Sequence, residues 1–213
     1  MIDSFVTFIV GLAGGNAALA IVAFTLAVRL AILPLGVKQA RGNKIRERLA
    51  PKLRELQKRW SRNPERLSRE MNALYAKEGT SPFAGILPGL AQMPFMWLMY
   101  RVATHPTALV GHTLFGAPLG QSVAGVVASY GLVSGPFMVF ALLIVATALV
   151  AWWSSTKIKV SEDQPAWMRR VMPLLPFTSV LAALWFPLAA GLYLLVSTAW
   201  ATTERAVLAA RLS

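Results

Sequence analysis

The chain has 213 residues, of which 56% are hydrophobic and only 14% charged, with a mean hydropathy of +0.55. Those values exclude an ordinary water-soluble globule and make the bilayer the expected solvent. A net charge of +12 could signal nucleic acid, so the placement of the charges has to decide. The absence of cysteine excludes disulfides, thiolate metal sites, catalytic thiols and Cys-linked lipid anchors.

The first residues, MIDSFVTFIVGLAGG, are apolar, and Ala18-Leu19-Ala20 fits a small-residue cleavage site. No Lys or Arg precedes the apolar stretch, Asp3 lies there instead, and hydrophobicity resumes at once, so a secretory signal is the poorer reading. Residues 1–16 are expected to hold an external interfacial helix ended by Gly14-Gly15.

A helix needs ~20 apolar residues to cross the hydrocarbon core. Residues 17–35 form the first such run, interrupted only by Arg29, and residues 83–103 the second, with Pro88, Pro94 and Arg101 inside it. Residues 136–153 form the third. From Val171 to Thr203 there is no charge for 33 residues, which as one helix would span ~50 Å, too long for a single crossing. Pro187 and Gly191 divide it into spans 171–186 and 187–203. Residues 104–135 carry no Asp, Glu, Lys or Arg and six glycines, and read as an external loop. Its part LGQSVAGVVASYGLV is apolar enough to dip into the membrane.

Counting Lys and Arg in the connecting segments sets the orientation. Residues 36–80 hold 13, residues 154–170 four and residues 204–213 two, and five spans put all three segments on one side. The N-terminus is then outside and the tail 204–213 cytoplasmic, with Trp152, Trp153, Trp185 and Trp200 near the interfaces. The basic charge is explained by topology, and no specific nucleic-acid sequence need be bound. The expected fold class is all-α: a polytopic membrane protein with five transmembrane helices, a cytoplasmic helical hairpin and an N-terminal interfacial helix.

The hairpin falls in residues 36–82. The run KIRERLAPKLRELQKRW places Ile45, Leu49, Leu53, Leu56 and Trp60 at spacings of three and four, one apolar stripe on a charged helix. Pro51 is expected to start a fresh segment after a break at Ala50. Asn63 then suits an N-cap and Pro64 a first helical residue, with Leu67, Met71 and Leu74 forming a second stripe that ends at Gly79.

Arg29 is the most informative residue. It lies well inside the apolar run, where a cation costs ~2.5–3.5 kcal/mol on insertion scales. Snorkelling to the interface and a hydrated cavity both remain open from position alone. The acids outside residues 36–80 are Asp3, Glu162, Asp163 and Glu204, all at or beyond span ends, so no carboxylate is expected beside it. Thr25 is one turn before Arg29, Gln92 lies mid-span in the second run, and Tyr193 and Ser197 share a face of the last. Each also has a bland use, a hydroxyl bonded to its own helix or a ring at an interface.

Four segments, LAVRLAILPLGVKQ, LAPKLRELQKRW with PERLSREMNALYAKEG, TSPFAGILPGLAQMPFMWLMYRV and FPLAAGLYLLVSTAW, resemble the YidC/Oxa1/Alb3 family of membrane protein insertases in family order. The resemblance covers most of residues 17–203, and its third segment is the most diagnostic. It implies a five-span core with a positively charged hydrophilic groove, open to cytoplasm and lipid, with Arg29 as its charge. It places Gln92 and Tyr193 at groove-side positions, where Thr25 and Ser197 would join them by their helix faces, and Met93, Met96, Met99 and Met172 would suit an adaptable apolar slide. The chain departs from the family at Leu194 after Tyr193, at Thr198, and at Glu204-Arg205. It looks like a compact bacterial member of the plasma membrane.

The expected function is that of a non-enzymatic insertase and chaperone without cofactors or metal. Its expected partners are newly made membrane proteins and the bilayer, with the ribosome and the general secretion channel as further candidates. The rival is a small transporter or channel that uses Arg29 as an anion site. An intramembrane enzyme is disfavoured because no span contains His, Asp or Glu.

Overall fold

The computed structural model describes residues 2–79, 90, 93, 97, 109, 111–158 and 166–212. The chain forms two compact units, residues 1–30 with 95–206 and residues 31–94 with 207–213.

Helix α1 (Ile2–Leu12) stops at Gly14 and Gly15, whose φ of 66° and 83° glycine adopts without strain. The Gly15 N–H reaches back to the Val10 carbonyl at 2.9 Å and closes the turn. Asn16 then caps α2 (Ala17–Arg59), its Oδ1 accepting from the Leu19 N–H at 3.0 Å. Helix α2 runs through both Pro34 and Pro51, so the expected break at Ala50 does not occur. Proline removes one ladder hydrogen bond but its fixed φ is helical, and strong helix formers flank Pro51 on both sides.

In the first unit, β1 (Thr113–Leu114) and β2 (Ala117–Pro118) pair antiparallel, Thr113 opposite Pro118 and Leu114 opposite Ala117. Phe115 and Gly116 make the two-residue turn, both at positive φ, which matches the twist of the paired strands. This small ladder departs from the all-α expectation. Helix α4 (Val123–Tyr130) follows, its Ser122 cap accepting from the Gly125 N–H at 3.4 Å. The stretch read as an external loop is therefore largely structured from residue 111 onward. Ala117, Leu119 and Val126 are fully buried in it.

Helix α5 (Gly135–Thr156) is the central element, packed against α4, β2 and the later helices. Phe140, Leu143, Thr147, Ala151 and Ser154 form its buried face. Met138, Leu142, Val145, Leu149 and Trp152 form the opposite face and are exposed, Leu142 at 72%. A helix apolar on both its covered and its uncovered face belongs in lipid. Length and composition qualify α5 and the Ala17–Ile45 part of α2 to cross a bilayer, among the described residues.

Helix α6 (Ala166–Val171) leads into a 3-10 segment (Met172–Phe177) and α7 (Thr178–Trp185), so the stretch expected as the fourth span is helical as far as Trp185 but changes its winding. Pro173 and Pro176 each lack an N–H, which favours the tighter winding there. The chain breaks at Phe186 and Pro187, and α8 (Leu188–Leu212) begins. The Leu188 and Ala189 N–H groups, orphaned at the helix start, donate to the Gln121 and Leu119 carbonyls at 2.9 and 3.0 Å. Helix α8 continues past 203, so residues 204–212, expected as a tail, are helical, as their Ala, Leu, Arg and Glu content favours. The span expected over 83–103 lies outside the described residues except for Leu90, Met93 and Trp97, which are helical and exposed.

In the second unit, the C-terminal part of α2 turns at residues 60–63 into α3 (Pro64–Lys77). Asn63 Oδ1 accepts from the Arg66 N–H at 3.1 Å, with Pro64 as the first helical residue. Leu49 and Tyr75 are buried, and Leu53, Leu56, Leu67, Met71 and Leu74 half-buried. Arg66 stacks on the Trp60 ring at 4.1 Å from its centroid and Arg59 lies at 5.7 Å.

Gly191 in α8 meets α5 closely: a Cβ there would lie 3.0 Å from Leu143 Cδ2. Gly191→Val is expected to destabilise the unit by about 1–3 kcal/mol through overpacking. Leu143→Ala added to it should restore part of the melting temperature in detergent. Equal losses with and without the second change would show that the two side chains do not compete for one space.

Candidate functional site

Within the first unit, α2 sets Thr25 and Arg29 one turn apart on one face. The Thr25 hydroxyl donates to the Ile21 carbonyl at 2.6 Å and is buried, so its proton is used by its own helix. Arg29 is half-buried, and its Nη2 donates to Ser197 Oγ on α8, itself 4% exposed. The long-range bond ties the two helices through the one cation of the apolar run.

Arg29 opens into a cavity of about 310 Å³ whose polar lining is Ser154, Ser179, Thr198, Thr202 and Arg205. Helix α8 supplies three of those five, Thr198, Thr202 and Arg205, which lie with Ala201 on the face continued from Ser197. Three of the hydroxyls donate to backbone carbonyls: Thr198 to Leu194 at 2.6 Å, Thr202 to Thr198 at 2.8 Å and Ser179 to Pro176 at 2.7 Å. A hydroxyl that has donated its proton still accepts, so the cavity combines guanidinium donors with hydroxyl acceptors. Such a lining suits water or a hydrophilic segment of polypeptide.

Among the described residues no carboxylate forms a salt bridge with Arg29. Glu204 lies within electrostatic reach of the guanidinium, together with Tyr193 and Arg205. The helical continuation of α8 beyond residue 203 brings it there. Glu204 Oε2 accepts from Trp200 Nε1 at 3.0 Å, which directs the carboxylate along its own helix. Arg29, Arg205 and Glu204 leave the local charge positive.

Tyr193 is half-buried, one turn before Ser197 on the same face, and packs against the core. Gln92, Met96 and Met99 lie outside the described residues. Met93 is exposed in the second unit, and Met172 is half-buried in the 3-10 segment of the first. Sequence reasoning missed Ser154, Ser179, Thr202, Glu204 and Arg205. Thr202 and Arg205 were readable as the continuation of the Ser197 face, but the charge at Glu204 marked the end of the apolar run.

Helices uncovered on apolar faces, with a cation opening into a hydroxyl-lined cavity, define a membrane protein with a polar interior site. The model of the 60Kd inner membrane protein family matches residues 8–213, and the chain belongs to that family. Membrane protein insertase YidC 2 of Bacillus anthracis is 28% identical over 199 residues, covering 92% of this chain and 72% of the relative. Membrane protein insertase MisCA of Bacillus subtilis is 27% identical, covering 92% and 71%. Membrane protein insertase YidC of Cellvibrio japonicus is 33% identical over 89% of this chain, which spans only 32% of that relative.

Ser197→Ala reports whether the cavity is wet. A hydrogen bond to a charged group is worth about 1.5–3 kcal/mol when nothing replaces it. Water replaces the lost hydroxyl in a cavity this size, so the expected loss of stability is below about 1 kcal/mol. A loss near the full value, measured by denaturant titration in detergent, would show the guanidinium to be dry.

Proposed function

We propose that this chain is a membrane protein insertase, in which the cavity around Arg29 receives short hydrophilic segments of newly made membrane proteins and releases their apolar segments sideways into lipid. The carrying observation is Arg29 itself, hydrogen-bonded to Ser197 and opening into a hydroxyl-lined cavity. The family and the names of its relatives support the same reading.

The energetics favour transient attraction over tight binding. A carboxylate in hydrocarbon costs ~2.5–3.5 kcal/mol on insertion scales. A charge-assisted hydrogen bond to Arg29 returns about 1.5–3 kcal/mol of that. The near balance lowers the barrier without trapping the segment. The chain acts by solvation and positioning, with no covalent step and no cofactor. Thr25, Gln92, Tyr193 and Ser197 complete the groove in this reading, and Met93, Met96, Met99 and Met172 the slide. The bilayer and newly made membrane proteins are its partners, and the basic hairpin is the surface for the ribosome or the general secretion channel.

Arg29→Ala is expected to slow insertion of a single-span substrate with an acidic translocated tail about tenfold or more in liposomes holding only this protein. Arg29→Lys should keep most of the activity, and the Ala variant should melt no lower than the parent. Unchanged rates on acidic and neutralised tails would reject the charge mechanism. Anion flux without insertion would favour a channel.

The proposed topology has five spans, an external N-terminus and a cytoplasmic hairpin. Because the chain has no cysteine, each introduced thiol is unique. Ser68→Cys on α3 should label with impermeant maleimide only from the cytoplasm, and Val133→Cys, fully exposed before α5, only from outside. Labelling of both from one face would refute the arrangement.

A further inference from the structure

We propose that Arg205 is a second, outer cation of the same cavity, and that the pair Arg205 and Arg29 selects translocated segments carrying two acidic side chains about one helical turn apart in sequence. The inference rests on the insertase reading above and adds a specificity element to it.

Both arginines line one cavity. Arg29 is held by Ser197, and Arg205 lies two turns further along α8, a backbone rise of ~12 Å that its side chain shortens by folding back to the Ala201 carbonyl. An extended chain rises ~3.3 Å per residue, so acids at i and i+4 of a tail reach both groups together. The Arg205 Nε donates to the Ala201 carbonyl at 3.0 Å, which holds the guanidinium against its own helix on the cavity-lining face. Among the described residues no other hydrogen bond or salt bridge takes its two terminal nitrogens. They form the fork that binds a carboxylate with two parallel bonds. Glu204, its neighbour, accepts from Trp200 through Oε2 and forms no salt bridge with Arg205 among the described residues.

The two cations differ in exposure, and that orders them. Arg205 is exposed and Arg29 half-buried. An exposed charge acts at longer range through solvent and is screened by salt, whereas a buried one acts at contact and is screened less. An entering acidic tail therefore meets Arg205 first and Arg29 second. A tail with one acid uses either in turn, and a tail with two acids engages both at once.

The test is insertion of one single-span substrate with neutral, one-acid and two-acid (i, i+4) tails into liposomes carrying the parent, Arg205→Ala, Arg205→Lys or Arg29→Ala protein. Arg205→Ala should reduce the two-acid rate about two- to fivefold more than the neutral-tail rate, the range open to an exposed ion pair. That excess should vanish at about 1 M salt, where the Debye length is about 3 Å. Arg205→Lys should recover most of it. Arg29→Ala should slow both acidic tails. An Arg205→Ala defect of equal size on all three tails would assign Arg205 to the fold or to lipid and overturn the proposal. So would acid-selective loss in Arg29→Ala with none in Arg205→Ala, which leaves the insertase reading intact. Loss of acid selectivity in neither variant would overturn both.

Discussion

The guanidinium of Arg29 within an otherwise apolar run constrains everything around it. Its charge cannot be left in hydrocarbon, so the bundle must present an acceptor, a cavity, or both. It presents both: Ser197 accepts directly, and the hydroxyl-bearing face of α8 lines the space beyond. Small side chains on that face make the space possible. Where α8 carries Ser197, Thr198, Ala201 and Thr202, a run of leucines would have filled the volume and left the cation without solvent.

The same demand, applied to the backbone, shapes the other end of α8. A break at Pro187 frees helix-start N–H groups, which are costly to bury in an apolar setting. The segment after the small β ladder answers it, its Leu119 and Gln121 carbonyls accepting from Ala189 and Leu188. Leu119 and Leu188 are also fully buried, so the polar contacts sit inside a packed cluster with Val126 and Phe140. Close packing at the start of α8 and a cavity from Ser197 onward give the helix two contrasting environments about nine residues apart. The helix is thus closely packed at one end and lined by hydroxyls around an open volume at the other.

Much of this was legible in the sequence where one strong rule applied. The apolar run of α5, the Pro187 break and the Asn63-Pro64 cap each follow from hydropathy or from the chemistry of one residue. Arg29 stood out because charge in an apolar run is expensive. Rules failed where two competed. Pro51 argued for a break while its neighbours argued for helix, and the helix won. Phe115-Gly116 lacks the Asn-Gly or Asp-Gly signal of a tight hairpin, so the β ladder went unread. Residues 204–212 were set aside as a tail because charge ends a span, yet charge does not end a helix.

That last distinction matters for how the cavity works. A span is a statement about solvent, whereas a helix is a statement about backbone, and α8 carries one through the boundary of the other. Its continuation sets Glu204 and Arg205 beside a site that hydropathy alone would have closed at Thr203. The Glu204 carboxylate accepts from the Trp200 indole N–H at 3.0 Å, one turn back along α8, and forms no salt bridge with Arg29 among the described residues. Arg29 therefore keeps Ser197 as its hydrogen-bond partner while Glu204 is bound to Trp200 on its own helix, and the polar end of α8 lies beside the cation it helps to solvate.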